Sequence, residues 1–157
     1  MAWWNTLFGK LITTFVMSMV PVIELRGAIP FGVAQGLGLW QAIAVSIVGN
    51  LLPVPFIILF IRRIFAWLRR ISPKLNTLVT KLEKRAEGKS EKVLKYAFWG
   101  LFLLVAIPLP GTGAWTGSLV AAMLDMRLKK AFPAIALGVV AAGVIVSVIT
   151  YGVTAVF

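Results

Sequence analysis

The sequence predicts an all-α integral membrane protein of two inverted repeats, each a re-entrant helical hairpin followed by a transmembrane helix. Three observations carry that prediction. Hydrophobic residues make up 60% of the 157 positions and charged residues only 13%, a balance foreign to soluble domains. Of 16 Lys and Arg, 11 lie between Arg62 and Lys95, so the basic charge is gathered into one connection. Each half also interrupts its apolar sequence with a Pro- and Gly-containing motif, ELRGAIP in the first and PLPGTG in the second.

The first half opens with Trp3, Trp4, Leu7, Phe8, Leu11 and Ile12, spaced to share one face of a helix. No small-residue cleavage site follows, so this start does not read as a cleaved signal. Trp3 and Trp4 suit an interfacial belt. An apolar limb, Leu11–Ile23, meets ELRGAIP, around residues 24–30. The next limb, Ala28–Leu37, rises only ~15 Å as helix. A full span, Trp40–Ile61, follows within the run Leu39–Ile61, which carries no charge. That run is about 34 Å of helix against a hydrocarbon core of roughly 30 Å.

Residues 62–96 form the basic connection. Its charge beside apolar spans is the positive-inside signal and assigns it to the cytoplasm, in contact with anionic headgroups. Leu75, Leu78, Val79 and Leu82 make a helical stripe, while Glu83, Glu87 and Glu91 recur among lysines. A short amphipathic surface helix is expected, broken at Ser72–Pro73 and at Gly88.

In the second half only Ala97–Ile107 precede Pro108, about 17 Å of helix, so the break falls near the bilayer midplane. Thr112–Leu124 adds ~20 Å, and then comes DMRLKK, Asp125 to Lys130. Basic residues there fit a hairpin that returns to the cytoplasmic face; the alternative is a straight crossing with a kink. A full span, Ala131–Phe157, ends the chain. The expected organisation is therefore a first membrane repeat at 1–61, a cytoplasmic loop at 62–96 and a second repeat at 97–157. Two hairpins from opposite faces then meet tip to tip, with both termini outside, the plan of many secondary transporters.

Irregular backbone at bilayer depth is tolerated only where it is buried in protein or lines a wet cavity. Pro108 and Pro110 stop the incoming helix, while Gly111 and Gly113 permit a tight turn and close backbone approach. Thr112 is expected to cap the next helix, leaving the N–H groups of Gly113, Ala114 and Trp115 as an anion site. Pro30 fits the first turn of the other returning limb. Arg26 near the midplane costs ~2.5–3.5 kcal/mol on insertion scales and needs compensation. Glu24 is the acidic residue expected at that depth. Either the two form a buried structural ion pair, or Arg26 grips an anionic headgroup while Glu24 pairs with it or takes up a proton. The candidate substrate-binding set is Glu24, Arg26, Gly27, Pro30, Pro108, Pro110, Gly111, Thr112, Gly113 and Trp115, with Glu24 also the candidate for proton coupling. Gln35, Asn50, Thr116 and Ser118 either line the cavity or bond between helices. Gly138, Ala141, Ala142 and Gly143 are read as close helix packing, and Trp40 and Trp115 as packing and interface residues.

Cysteine and histidine are absent, which removes disulfides, the usual zinc and haem ligands and Ser/His or Cys/His nucleophiles. No enzyme, cofactor or metal is expected, and the clustering of charge in one loop argues against nucleic acid. Few full spans per chain point to a homo-oligomer, most simply a homodimer.

ELRGAIP, a glycine-containing limb, the basic loop and IPLPGTGAWTGSLVAAML together resemble the small multidrug export protein family over nearly the whole chain. That family in turn resembles the DedA family, whose members carry two opposed re-entrant hairpins and are implicated in returning undecaprenyl phosphate across the bacterial or archaeal cytoplasmic membrane. Thr112 stands where DedA motifs carry an acidic residue. The expectation is a carrier for an anionic lipid, with undecaprenyl phosphate implied by the DedA resemblance. The alternative is a proton-coupled exporter of cationic compounds using Glu24. A third reading is a membrane scaffold that transports nothing.

Overall fold

The computed structural model describes residues 3–74, 76–77, 80 and 91–154. After a 3-10 turn at Trp3–Asn5 come seven helices among the described residues: α1 Leu7–Met19, α2 Glu24–Ala34, α3 Leu39–Leu51, α4 Pro53–Ile71, α5 Glu91–Ala106, α6 Ala114–Met123 and α7 Leu128–Thr154.

Local chemistry sets the boundaries. Thr6 caps α1 by accepting a hydrogen bond from the Gly9 amide at 3.1 Å, as a threonine hydroxyl does at a free helix N-terminus. Val20 leaves the helix with ψ 126, since the residue before a proline is pushed out of the helical region. Leu39–Ile64 forms one apolar stretch of 26 residues across α3 and α4, and Leu128–Gly152 another of 25; both are long enough to cross a hydrocarbon core. The α3–α4 junction falls at Pro53, whose missing N–H breaks the ladder without stopping the helix.

Helices α1, α2 and α3 pack on one another, as do α5, α6 and α7, and the two groups join where α4 lies on α6 and where α7 lies on α2 and α3. The interior is mainly aliphatic, with Leu25, Ile29, Ile58, Val105, Ile135 and Val139 at its centre, and Thr14, Ser18, Ser46, Asn50, Ser118 and Ser147 are buried among them. Phe56, Leu59, Phe60, Val144, Val148 and Ile149 face outward, an apolar exterior that suits lipid.

The two groups share several local features. Gly49 of α3 runs so close to α1 that an added Cβ would lie 2.6 Å from the Phe15 carbonyl oxygen, against the Ser18 hydroxyl. Gly138 of α7 does the same to α5, with the Phe102 carbonyl at 2.9 Å and Val105 Cβ at 2.7 Å. Both returning helices also end in one motif. Gly36 N–H donates to Val33 O and Leu37 N–H to Gly32 O, while Asp125 N–H donates to Ala122 O and Met126 N–H to Ala121 O. Gly36 at φ 88 and Asp125 at φ 51 hold the left-handed position that this cap requires. Positions in α1 match α5 at an offset of 87 (Phe15 to Phe102), and later positions match at 89 (Gly36 to Asp125, Gly49 to Gly138). The second break is thus longer by two residues.

Three sequence expectations need correction. ELRGAIP is not the turn: the break falls earlier, at Val20–Ile23, and the motif forms the first turns of α2. Pro21 and its extended predecessor end α1, so the chain is already helical at Glu24. Pro30 accordingly sits inside α2 rather than in its first turn. The first span also continues as helix past Ile61 to Ile71, and α5 is already helical at Glu91. The break at Ser72 is where α4 stops. The stripe at Leu75, Leu78, Val79 and Leu82, with Glu83, Glu87 and Gly88, lies outside the described residues.

Candidate functional site at the junction of the two breaks

The break after α1 and the break after α5 come together, and side chains of α2 and α6 tie them. Glu24, the first residue of α2, is buried, and its carboxylate accepts the Trp115 amide of α6 at 3.2 Å. A carboxylate on the free amides of a helix N-terminus meets both unsatisfied donors and the positive end of the dipole. Gly113 makes the approach possible. A Cβ there would lie 2.5 Å from the Glu24 carboxyl carbon, so only glycine leaves room.

Arg26 reaches the opposite pole. Its guanidinium donates to Leu109 O, to Ile107 O at 3.2 Å and to Thr112 Oγ1 at 3.2 Å. Ile107 O and Leu109 O also accept the Leu109 and Thr112 amides, at 2.8 and 3.2 Å, and the cation offsets the negative end of the α5 dipole. Thr112 itself donates toward Ile107 O and Leu109 O, at 3.0 and 2.9 Å. Trp115 closes the other side, its indole N–H donating to Met19 O, the last residue of α1, at 3.0 Å. Gly111 takes φ 83 in the turn, and its carbonyl accepts from Thr116 Oγ1 at 2.8 Å.

Of the predicted residues, Glu24, Arg26, Thr112, Gly113 and Trp115 converge here. Pro108 is half-buried beside them, and Pro110 and Gly111 are exposed at the rim. Gly27 points its amide into its own helix, at Ile23 O, and Pro30 lies further along α2. Two expectations fail on chemistry. Thr112 does not cap α6: the N-cap is Gly113, without a side-chain bond of its own, and the Glu24 carboxylate takes the cap's place because Thr112 is engaged by the preceding carbonyls. Nor do Glu24 and Arg26 pair. Among the described residues the salt bridge is Arg62–Asp125 at 3.0 Å, and residues two apart on a helix point in different directions.

The secondary polar candidates divide. Gln35 accepts from Thr13 Oγ1 at 3.0 Å between α2 and α1. Ser118 bonds Ala114 O of its own helix. Asn50 is 1% exposed, and both polar atoms of its amide lack a protein partner. Gly138 and Ala142 are buried in helix contacts as expected, Ala141 is half-buried, and Gly143 makes only ordinary contact with Ile47. Trp40 is 81% exposed, consistent with an interface position. Sequence reasoning missed the Arg62–Asp125 bridge and the buried, unpartnered Ser46 one helical turn before Asn50. The latter was signalled by polar residues four apart, Ser46 with Asn50 and Thr14 with Ser18, inside apolar helices. Among the described residues no three His, Cys, Asp or Glu side chains group as a metal site would need.

A family model described as "Putative small multi-drug export protein" matches residues 24–145. The chain belongs to this family. The matched region starts at Glu24 itself, just after the first break, and takes in the second. Family membership, with two helices of membrane-crossing length, makes this a membrane protein. Neither a curated protein nor a solved structure matches the chain.

Proposed function

We propose that the protein exports cationic compounds in exchange for protons, with Glu24 as the coupling carboxylate. One observation carries this choice over an anionic substrate. Glu24 is buried on the Trp115 amide and forms no direct ion pair with Arg26, which donates to Ile107 O, Leu109 O and Thr112 Oγ1. A buried, unpaired carboxylate at bilayer depth can hold either a proton or a cationic substrate. The family description points the same way.

The architecture we propose is two inverted repeats, 1–61 and 97–157, joined by the cytoplasmic segment 62–96. Helices α1 and α2, of 13 and 11 residues, are about 20 and 17 Å long, too short to cross a bilayer. The ends of the first hairpin adjoin, since a Cβ on Gly36 would lie 3.3 Å from Lys10 Nζ. Those of the second return to the basic connection, because Asp125 bridges to Arg62, which also donates to Met126 O. Re-entrant hairpins from opposite faces account for both facts. A homodimer is part of the proposal, because the exposed rim at Pro110 and Gly111 needs cover from lipid.

In this mechanism, ionised Glu24 holds the tips together through the α6 N-terminus. Protonation removes its charge, weakens that tie and lets the hairpins part. A cation reaching Glu24 from the bilayer displaces the proton. The test is ethidium efflux from proteoliposomes under an imposed pH gradient. Wild type should move ethidium and collapse the gradient, and Glu24→Gln should do neither while keeping its fold. Equal transport by Glu24→Gln would sink the proposal.

A second reading is favoured by the gathering of Arg26, Thr112 and the α6 N-terminus, all of which suit a phosphate. In it the substrate is an anionic lipid such as undecaprenyl phosphate, which displaces Glu24. Mass spectrometry of copurified lipid decides: a polyprenyl phosphate retained by wild type and lost in Arg26→Gln supports this reading against export of cations.

A further inference from the structure

The two repeats match in backbone geometry but not in the chemistry of their interiors. In the first, Thr14 and Ser18 of α1 and Ser46 and Asn50 of α3 are all buried, none more than 1% exposed. The matching positions of the second repeat are Leu101, Val105, Ile135 and Val139, equally buried and all aliphatic. Every polar position on one side faces an apolar counterpart on the other. A membrane protein gains nothing in packing from that exchange, because serine and asparagine bring unmet hydrogen bonds where valine and isoleucine bring none.

Those bonds are indeed unmet. Thr14 Oγ1 and Ser18 Oγ donate to carbonyls of their own helix, Lys10 O and Phe15 O, at 2.8 and 2.7 Å, which leaves their lone pairs free to accept. Ser46 Oγ and both polar atoms of the Asn50 amide are buried with no protein partner. Unpaired donors and acceptors are thus buried on α3, and α1 offers acceptor lone pairs. A bare cation would satisfy only the acceptors, whereas water satisfies both and needs two to four polar partners.

We propose that water reaches the buried polar groups between α1 and α3 and carries protons towards Glu24 from the Lys10 end of the hairpin, with the Ser18–Gly49 contact as the narrow point of the path. This rests on the proton-coupled reading. Lys10, Thr13 and Gln35 are half-buried at the open end, with Thr14 next. Ser18 lies at the close approach of α1 to Gly49, and Asn50 is the next residue of α3. One residue beyond Ser18, Met19 O meets Trp115, whose own amide holds Glu24. A proton enters from bulk water, passes along the chain of waters and ends on the Glu24 carboxylate, which becomes neutral. Lys10, Glu24 and Arg26 are the titratable groups of α1 and α2, and α3 and α6 have none. The aliphatic second repeat is a dry wall, so protons reach Glu24 from one face only.

Hydration is read without any transport assay. The chain has no cysteine, so Ser46→Cys gives one S–H group with an infrared stretch clear of other bands, and Ile135→Cys gives the matched control. In membranes transferred to D2O, the thiol at 46 should exchange at least about tenfold faster than that at 135, as water contact requires. Equal rates mean a dry seam and overturn the proposal. Delivery is read as ethidium-driven proton flux. Asn50→Val should slow it about tenfold or more, while Asn50→Ser, which keeps a partner for water, should retain most of it and so guards against misfolding. Fast exchange with undiminished flux in Asn50→Val overturns delivery. No flux in wild type overturns the exporter reading and delivery with it, while the exchange rates still decide whether the seam is wet.

Discussion

Arg26 and Trp115 occupy the same place in the two halves of the protein, at the offset of 89 that also relates Gly49 to Gly138. Each donates to the carbonyl end of the other half's incoming helix: Arg26 Nη2 to Ile107 O at 3.2 Å, and Trp115 Nε1 to Met19 O at 3.0 Å. Carbonyls at the end of a helix point away from its own ladder and can take donors from elsewhere. Here each half supplies a donor to the other. The junction therefore needs both halves, and its strength depends on two chemically unequal side chains.

That inequality is measurable. Arg26→Lys keeps the charge but not the planar fork that reaches Leu109, Ile107 and Thr112, and should cost about 1.5–3 kcal/mol, the range for bonds to a charged group. Trp115→Phe keeps a ring and loses one N–H, for about 0.5–1.5 kcal/mol. Thermal unfolding of both variants in one detergent checks the order. A larger loss in Trp115→Phe contradicts it.

Gly113→Ala tests the contact between Glu24 and α6. The added Cβ would lie 2.6 Å from Glu24 Oε1, and the carboxylate must leave the helix N-terminus to make room. Gly113 is extended, with φ 160 and ψ −162, so alanine meets no backbone penalty there and the effect isolates the side-chain clash. Proton-coupled ethidium efflux should fall at least about tenfold, the equivalent of 1.4 kcal/mol lost from a working interaction. Ala114→Ser, one residue on, is not an equivalent control because Ala114 is itself fully buried; Gly111→Ala is better, since nothing lies within 4 Å of its Cβ, although its φ of +83 strains alanine.

Much of this was legible in the sequence, and the failures have local causes. Apolar length and the clustering of Lys and Arg gave the spans and the polar connection, because hydrophobic length is additive along the chain. Polar residues inside apolar sequence singled out Glu24, Arg26 and Thr112, which the fold brings to one junction. What the sequence could not assign was partnership. Whether Glu24 met Arg26 or the Trp115 amide depended on a contact 91 residues away. The position of the first break was misjudged because ELRGAIP contains glycine and proline, whereas the decisive residue was Pro21, three residues before the motif begins at Glu24. The repeat was visible only as a pattern, since Ser18 and Val105 share a geometric role and no chemistry.

The shared geometry makes its own prediction. Gly49→Ala and Gly138→Ala should both destabilise, because each Cβ meets a backbone carbonyl that cannot move aside. The first should cost more: its carbonyl contact is 2.6 Å against 2.9 Å, and it also meets the Ser18 hydroxyl. Overpacking at such sites costs about 1–3 kcal/mol. Gly143→Ala, whose Cβ would make only ordinary contact with Ile47 at 3.7 Å, should fall within about 0.5 kcal/mol of wild type. Unfolding midpoints of the three variants, taken together, separate a repeated close approach from general sensitivity of small residues.

The last prediction concerns sidedness. If the hairpins enter from opposite faces, Gly36 and Asp125, which hold the same left-handed position in the two halves, must open to opposite sides of the membrane. Both are exposed, and the absence of native cysteine makes Gly36→Cys and Asp125→Cys free of background. An impermeant thiol reagent added to intact cells should label position 36 and spare position 125; in inside-out vesicles the preference should reverse. Asp125 bridges to Arg62, so cysteine at Arg62 should label from the same face as cysteine at 125. Straight crossings would instead carry α1 and α2 through in one direction, and α5 and α6 likewise. Labelling of 125 and 62 from opposite faces would therefore remove the re-entrant plan, while leaving the Glu24–Trp115 contact to be explained by a kinked span.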